Sequence, residues 1–497
     1  MMALKPKLVP GWPKLAWLAT FAEGDRCVEV YHGPCVETHE QWCVEAVWAG
    51  EYAAGDFDRT DVVFGSGVRV RDDCVIFVTA GTAMDRLWYC RRGQQWFVSN
   101  SLGALSALAD LSLVDGDCYA NDRQSTIRTT WGDPLCTRPF PTHSGEAHLV
   151  WFNNLAYDGR SLKIVQKPDS AAPFKSFADY RGFLVQGAEG LRRNLESPAR
   201  RHKVMALASV SSGYDSSATA IIAKHAGCRQ AVTIKQASSF WRRSDSGQAI
   251  ADHLGLACRI CERTAEWFPH EEAFWAASGY CNLINWTLFE YPQPLCLFFT
   301  GNYGDVIWTR SKLPDPFTIE IWDDLAMGEF RLLAGMWQCI VPFWGMRHHK
   351  EIEAITFSQE MEPWTLHNDY DRPIARRIVE EAGVPRGSFA TRKQNTSHEA
   401  EFRWPYSPYA HERFSCYLKG RGFRAPGRRL VRLLRVVAHL ENLLQMNLLG
   451  RLGLRKRLRP WQRLAGTRLL VQWANEELRQ MYDKALAEAR GRETIRP

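Results

Sequence analysis

The feature that most constrains this chain lies near its middle. Val204-Met-Ala-Leu-Ala-Ser-Val210 is almost wholly apolar, the pattern of a parallel strand buried on both faces. A Ser/Gly-rich turn follows, then a helical stretch over Ser217 to His225, then a second apolar run, Gln230-Ala-Val-Thr-Ile234. A strand, loop, helix and strand in that order form the building block of a doubly wound α/β sheet. Ser246 to Leu254 predicts another helix, Leu295-Cys-Leu-Phe-Phe-Thr300 another strand, and residues 320–385 read as mostly helical. No internal repeat is present.

The flanks differ in kind. Before residue 172, short β-branched and aromatic runs predict a mainly antiparallel α+β domain: Val62-Val-Phe-Gly, Val68-Arg-Val-Arg, Cys74-Val-Ile-Phe-Val-Thr and Gln95-Trp-Phe-Val-Ser. Gly65, Gly67, Asp72, Asp73, Gly81 and Gly93 punctuate them. A short helix is expected over Leu102 to Leu111 and a longer one over Phe174 to Asn194. From Arg413 onward, arginines crowd two stretches, from Arg421 to Arg435 and from Arg451 to Arg463, with leucines interleaved at helical spacing. The expected segments are 1–172, 173–412 and a basic amphipathic helical tail, 413–497.

Composition narrows the classes further. A length of 497 residues suits about three domains. Hydrophobic residues at 45% and charged residues at 24% exclude a disordered chain. A formal charge of +7 is too small for this length to require a nucleic-acid partner by itself. Met1 to Phe21 lacks the continuous apolar core of a signal peptide, and no run reaches the roughly 18 apolar residues of a membrane span. The 14 cysteines are scattered, so reduced thiols and a soluble, cytoplasmic protein are expected. Cys258 and Cys261 form the single C-x-x-C, without the second pair or histidines of a structural zinc site.

The segment that carries chemistry is Ser209-Val-Ser-Ser-Gly-Tyr-Asp-Ser-Ser217. Between a buried strand and a helix, small residues let backbone N–H groups approach an anion, and the helix N-terminus adds a positive dipole. Ser211, Ser212, Ser216 and Ser217 offer hydroxyl donors to phosphate. Asp215 would repel a bare phosphate, so its natural role beside one is to hold Mg²⁺. The bland alternative is a Ser/Gly-rich helix cap. No Gly-Lys-Ser/Thr follows, so this is not a Walker loop.

Ser211-Ser-Gly-Tyr-Asp-Ser-Ser217 resembles the pyrophosphate-binding loop, Ser-Gly-Gly-x-Asp-Ser, of the asparagine synthetase family and other adenine-nucleotide alpha hydrolases. Ser212 stands where the family usually has its first glycine. Thr300-Gly-Asn-Tyr-Gly-Asp-Val-Ile-Trp308 resembles the family's Gly-Glu-Gly-x-Asp-Glu segment. Glu381-Ala-Gly-Val-Pro-Arg-Gly-Ser-Phe-Ala-Thr-Arg-Lys393 is similar to the stretch that ends in its catalytic lysine. The resemblance implies a HUP-like synthetase domain that binds ATP through Ser211, Ser212, Gly213, Asp215, Ser216, Ser217, Thr233 and Gly301. It also implies that Asp215 and Asp305 hold Mg²⁺. Lys393 and Arg392 would neutralise charge on the α-phosphate and the departing pyrophosphate. The implied activity is an AMP-forming carbon–nitrogen ligase joining a small-molecule, peptide or polysaccharide carboxylate to an amine through an acyl-adenylate.

Two departures qualify that implication. Trp96-Phe-Val-Ser-Asn-Ser-Leu-Gly-Ala-Leu105 looks like the family's glutaminase-type N-terminal domain, whose nucleophile is an N-terminal cysteine. This chain opens Met1-Met2-Ala3 with its first cysteine at Cys27, so loss of glutamine hydrolysis is expected. Asn302 and Val306 replace acidic residues of the second segment; Glu290, Tyr291 or Tyr303 would have to serve in the amide-forming step. Asp245 would cap the following helix or bind substrate. Two other functions stay open: a tRNA-modifying enzyme using Cys258 and Cys261, and a nucleotide-binding pseudoenzyme. For the tail, the readings are helices packed on the synthetase domain, peripheral contact with anionic lipid, and nucleic acid.

Overall fold

The computed structural model describes residues 1–114, 129–132, 135–234, 246–261, 270–277, 291, 294–314, 317–321, 327–368, 370–389, 402–444 and 469–493. It is a mixed α/β architecture with one parallel and several antiparallel sheets. Seven strands form the first sheet in the order β1 (Ala3–Leu8), β3 (Cys27–His32), β2 (Trp17–Ala22), β9 (Gln95–Ser99), β8 (Arg86–Arg92), β12 (Gly145–Trp151) and β11 (Thr137–Thr142). All its pairs are antiparallel except β1 with β3. Six form the second: β14 (Leu162–Val165), β13 (Asn154–Tyr157), β7 (Cys74–Val78), β6 (Val63–Arg71), β5 (Trp42–Trp48) and β4 (Glu37–Thr38). Alternating residues from both sheets share one apolar layer, in which the Phe21 ring lies 5.6 Å from Phe77 and 4.3 Å from Tyr157.

One expected break is absent. Gly65 and Gly67 do not separate two strands but lie inside the nine-residue β6. Gly65 has φ 96°, and a Cβ there would come within 2.6 Å of the Trp337 ring. The glycine is the space that admits a tryptophan from the other half of the chain.

That other half holds the parallel sheet, ordered β17 (Ala257–Cys261), β16 (Gln230–Ile234), β15 (Met205–Ser209), β18 (Cys296–Thr300) and β20 (Met336–Ile340). In chain order this is third, second, first, fourth, fifth. The direction of winding therefore reverses between β15 and β18, and that reversal opens a crevice at the carboxyl ends of the strands. Helix α2 (Phe177–Leu195) precedes β15, α3 (Tyr214–His225) links it to β16, and α4 (Gln248–His253) leads into β17. Most of the described residues in 320–385 are helical, as expected, but β20 lies unannounced among them, and β10 (Thr129–Trp131) pairs with β19 (Ile319–Ile321). Gly335, at φ 81°, ends the helix Gly328–Ala334 and releases the five buried residues of β20. An apolar run that short does not reveal its own period.

The expected tail also divides. The helix Leu470–Glu493 carries five acidic residues against four basic ones and closes the core. Trp473, Leu478 and Tyr482 are buried, and Trp12 donates its indole N–H to the Tyr482 carbonyl at 3.3 Å. It packs on α1 (Leu102–Leu108) and on α5 (Glu271–Ala277), elements from opposite sides of residue 172. A single apolar cluster accordingly runs from Val9 to Leu486.

The two halves also meet through buried charge. Arg331 donates to both carboxylate oxygens of Glu45, at 3.0 and 3.1 Å, and its Nε lies 2.7 Å from Asp85. Ser66, Asn100 and the Trp337 indole donate to the same Glu45 carboxylate. Arg331→Met should destabilise the fold by about 3–5 kcal/mol in urea titrations, because it leaves the buried Glu45 carboxylate without its cation. Glu45→Gln combined with Arg331→Met should cost less than the sum of the single changes; additivity would refute the coupling.

A second buried cation sets a pH dependence. Lys167 donates to the Thr79 carbonyl at 2.9 Å and to Asn154 Oδ1 at 2.7 Å, and burial lowers its ammonium to about 7. An unfolded lysine keeps its proton to about pH 10. Between those values the unfolded state binds more protons, so stability should rise with pH from about 7, by up to about 1.4 kcal/mol per unit. Lys167→Met should flatten that slope in melts taken from pH 6 to 9.

Candidate active site

The crevice between β15 and β18 gathers most of the residues singled out in the sequence. β15 ends at Ser209, and α3 begins at Tyr214 with Gly213 as its N-cap. The first-turn N–H groups of such a helix have no intrahelical acceptor. The turn between is braced by its own hydroxyls. Ser216 Oγ accepts from the Ser211 N–H at 3.1 Å and lies 2.8 Å from Ser211 Oγ, which accepts from the Gly213 N–H at 3.2 Å. Ser217, fully buried, donates to the Gly213 carbonyl at 2.8 Å. Its hydroxyl therefore stiffens the loop rather than facing the crevice. Ser211, Ser212, Gly213, Asp215 and Ser216 are half-buried along it.

The segment after β18 lies directly on this loop. A Cβ on Gly301 would come within 2.5 Å of the Asp215 carbonyl carbon and the Ser216 nitrogen, and one on Gly304 within 2.5 Å of Asp215 Cγ. Both positions require glycine for space. Tyr303 between them adopts a left-handed φ of 63° and starts the short helix Gly304–Ile307, on which Asp305 is exposed. Asp215 and the Asp305 turn are thus brought to one place.

Asp215 is the electrostatic centre. Its Oδ2 forms an ion pair with Arg372 Nη1, while its Oδ1 is buried without a hydrogen-bond donor. An orphaned carboxylate oxygen beside a helix N-terminus fits a cation, and magnesium characteristically takes one or two carboxylates plus phosphate oxygens and water. Among the described residues no group of three His, Cys, Asp or Glu could hold a metal by itself.

Arg372 was not legible in the sequence. It is 6% exposed, caps the helix Pro373–Glu381 and stands 4.5 Å over the Tyr370 ring, which stacks on Tyr214. Burial lowers its guanidinium to about 10, so it remains a cation at neutral pH. Only the folding of residues 370–372 against α3 makes it special among the chain's many arginines.

Other expected residues fall elsewhere. Thr233, at the end of β16, accepts the Gly247 N–H at 2.9 Å, fixing the entry to α4. Gly247 is the N-cap of that helix; Asp245 lies outside the described residues, as do Glu290, Arg392 and Lys393. Tyr291 packs edge-on against Phe298, and Tyr303 against Phe343. Asn302 keeps a buried amide nitrogen with no acceptor, and Val306 packs on the core. Cys258 and Cys261 sit on β17, and burial pushes both thiols up, Cys258 to about 11.

The two glycine contacts differ in what obstructs them. Gly301→Ala meets backbone and should destabilise the protein by about 3 kcal/mol, whereas Gly304→Ala meets a side chain and should cost about half as much. Equal losses in urea titrations would contradict this close packing of the two segments.

No protein-family model matches this chain, and no curated protein matches it.

Proposed function

We propose that this chain is an ATP-dependent, AMP-forming ligase of the asparagine synthetase type, built on a HUP-like synthetase fold. The observation that carries the reading is the serine loop at the N-terminus of α3, with the donorless Asp215 Oδ1 inside the β15–β18 crevice. Strand order supports it as well, since a winding reversal is where open α/β sheets bind nucleotides.

In this reading the Ser211–Ser216 loop and the first turn of α3 receive the pyrophosphate oxygens. Asp215 and Asp305 hold Mg²⁺, which when bound supplies charge neutralisation on the pyrophosphate. Arg372 positions the Asp215 carboxylate and adds a fixed positive charge beside the phosphates. Lys393 and Arg392 take the α-phosphate and the leaving group. The substrate carboxylate attacks the α-phosphorus, the bond to the bridging oxygen breaks, and pyrophosphate leaves. An amine then displaces AMP from the acyl-adenylate. Thiol chemistry on tRNA is less well supported, because raised pKa values leave Cys258 and Cys261 protonated and poorly nucleophilic at neutral pH.

One observation favours a second reading, a protein that binds nucleotide without turnover. The Arg372–Asp215 ion pair already satisfies one carboxylate oxygen, and Asn302 and Val306 stand where the family has acids. Incubating the protein with ATP, Mg²⁺ and cell extract, and resolving AMP plus pyrophosphate from ADP plus phosphate, separates the two. Extract-dependent AMP and pyrophosphate, reduced at least about a hundredfold in Asp215→Ala, is the expected result. ADP formation would overturn the pyrophosphate-loop reading, and ATP binding without cleavage would establish the second one.

A further inference from the structure

We infer that the helix Arg428–Leu444 is a docking surface for an anionic lipid bilayer. This inference is independent of the chemistry in the crevice. The helix has two apolar faces. One packs on the protein through Val431, Leu434 and Ala438. Arg435 clamps that side, donating to the Trp404 and Pro405 carbonyls at 2.7 and 3.0 Å with its guanidinium 3.8 Å from the Tyr406 ring centre. The second face is Leu430, Leu433, Val437, Leu440 and Leu444, spaced three and four residues apart and each 38–58% exposed. The clamp fixes this stripe outward, so its exposure is a property of the fold.

Charge identifies the occupant. Residues 421–468 contain 13 Lys and Arg against one acid, Glu441, whereas the rest of the chain has 49 Lys and Arg against 54 Asp and Glu. The whole positive excess of the protein is thus concentrated in the stretch of sequence that contains the helix. Arg429 and Arg432 flank the stripe. Nucleic acid would engage the arginines but offers nothing to five aliphatic side chains. A second copy of the helix would cover the leucines but would bring like charges together across the seam. An anionic membrane surface accepts both: aliphatic side chains enter the acyl boundary while arginines meet the headgroups. No described helix is long and apolar enough to cross a membrane, so the contact is peripheral.

The test is flotation of the full-length protein with vesicles of phosphatidylcholine containing 30 mol% phosphatidylglycerol, at about 0.1 M salt. Binding should exceed that to pure phosphatidylcholine by at least about tenfold and fall at about 0.5 M salt. Leu433→Glu with Leu440→Glu should lower it at least about tenfold while circular dichroism and melting stay unchanged, since both side chains face solvent. Arg429→Lys with Arg432→Lys should retain binding, because the headgroups respond to charge. No flotation, or flotation indifferent to the leucine changes, would overturn the inference. So would self-association in sedimentation that the leucine changes abolish while flotation persists, or RNA binding that needs the arginines but not the leucines.

Discussion

The carboxylate of Glu45 has no exposed surface, yet it joins the antiparallel half of the molecule to the parallel half. Five donors on four side chains converge on it or on its backbone: both Arg331 nitrogens, the Trp337 indole, Asn100 and Ser66. A buried charge pair contributes little net stability over an apolar replacement, but it tolerates only one geometry. Trp337 belongs to β20, β20 pairs with β18, and β18 delivers Gly301 and Gly304 to Asp215. The position of the candidate site therefore rests on how the two halves dock.

Close approach is the recurring device at that site. Gly65 lets Trp337 reach Glu45, and Gly301 and Gly304 let the segment after β18 lie on the serine loop. Each glycine gives up a side chain so that backbone or ring from a distant part of the chain can occupy the space. The outcome is an acid, Asp215, whose two oxygens have different environments: one neutralised by Arg372, the other buried and without a donor. That asymmetry is what a carboxylate needs if it is to be held in place by one partner and to offer itself to another.

Charge is distributed with similar economy. The last helix, which is slightly acidic, lies in the core across both halves, while the positive excess falls in the sequence that precedes it. Arg413, Tyr417 and Arg421 reach back to Glu476 and Glu477 on that last helix, so its acids take up part of the basic side chains before they meet solvent.

The sequence by itself determined the local and periodic features. The apolar runs of β15, β16 and β18 announced a parallel sheet, and the small residues from Ser211 to Ser217 announced a tight turn between strand and helix. These were legible because they depend on neighbours within a dozen residues. Tertiary structure decided what depends on distant partners. β20 was hidden because five buried residues after a glycine carry no period of their own. Gly65 read as a turn until Trp337, far along the chain, filled its space. The last helix looked like part of a basic tail until its buried ring, Tyr482, was seen against Gly103. Arg372 had no signature at all. A buried arginine acquires its role only from the carboxylate that folding sets against it, and that pairing is a distance in space that no spacing along the chain records.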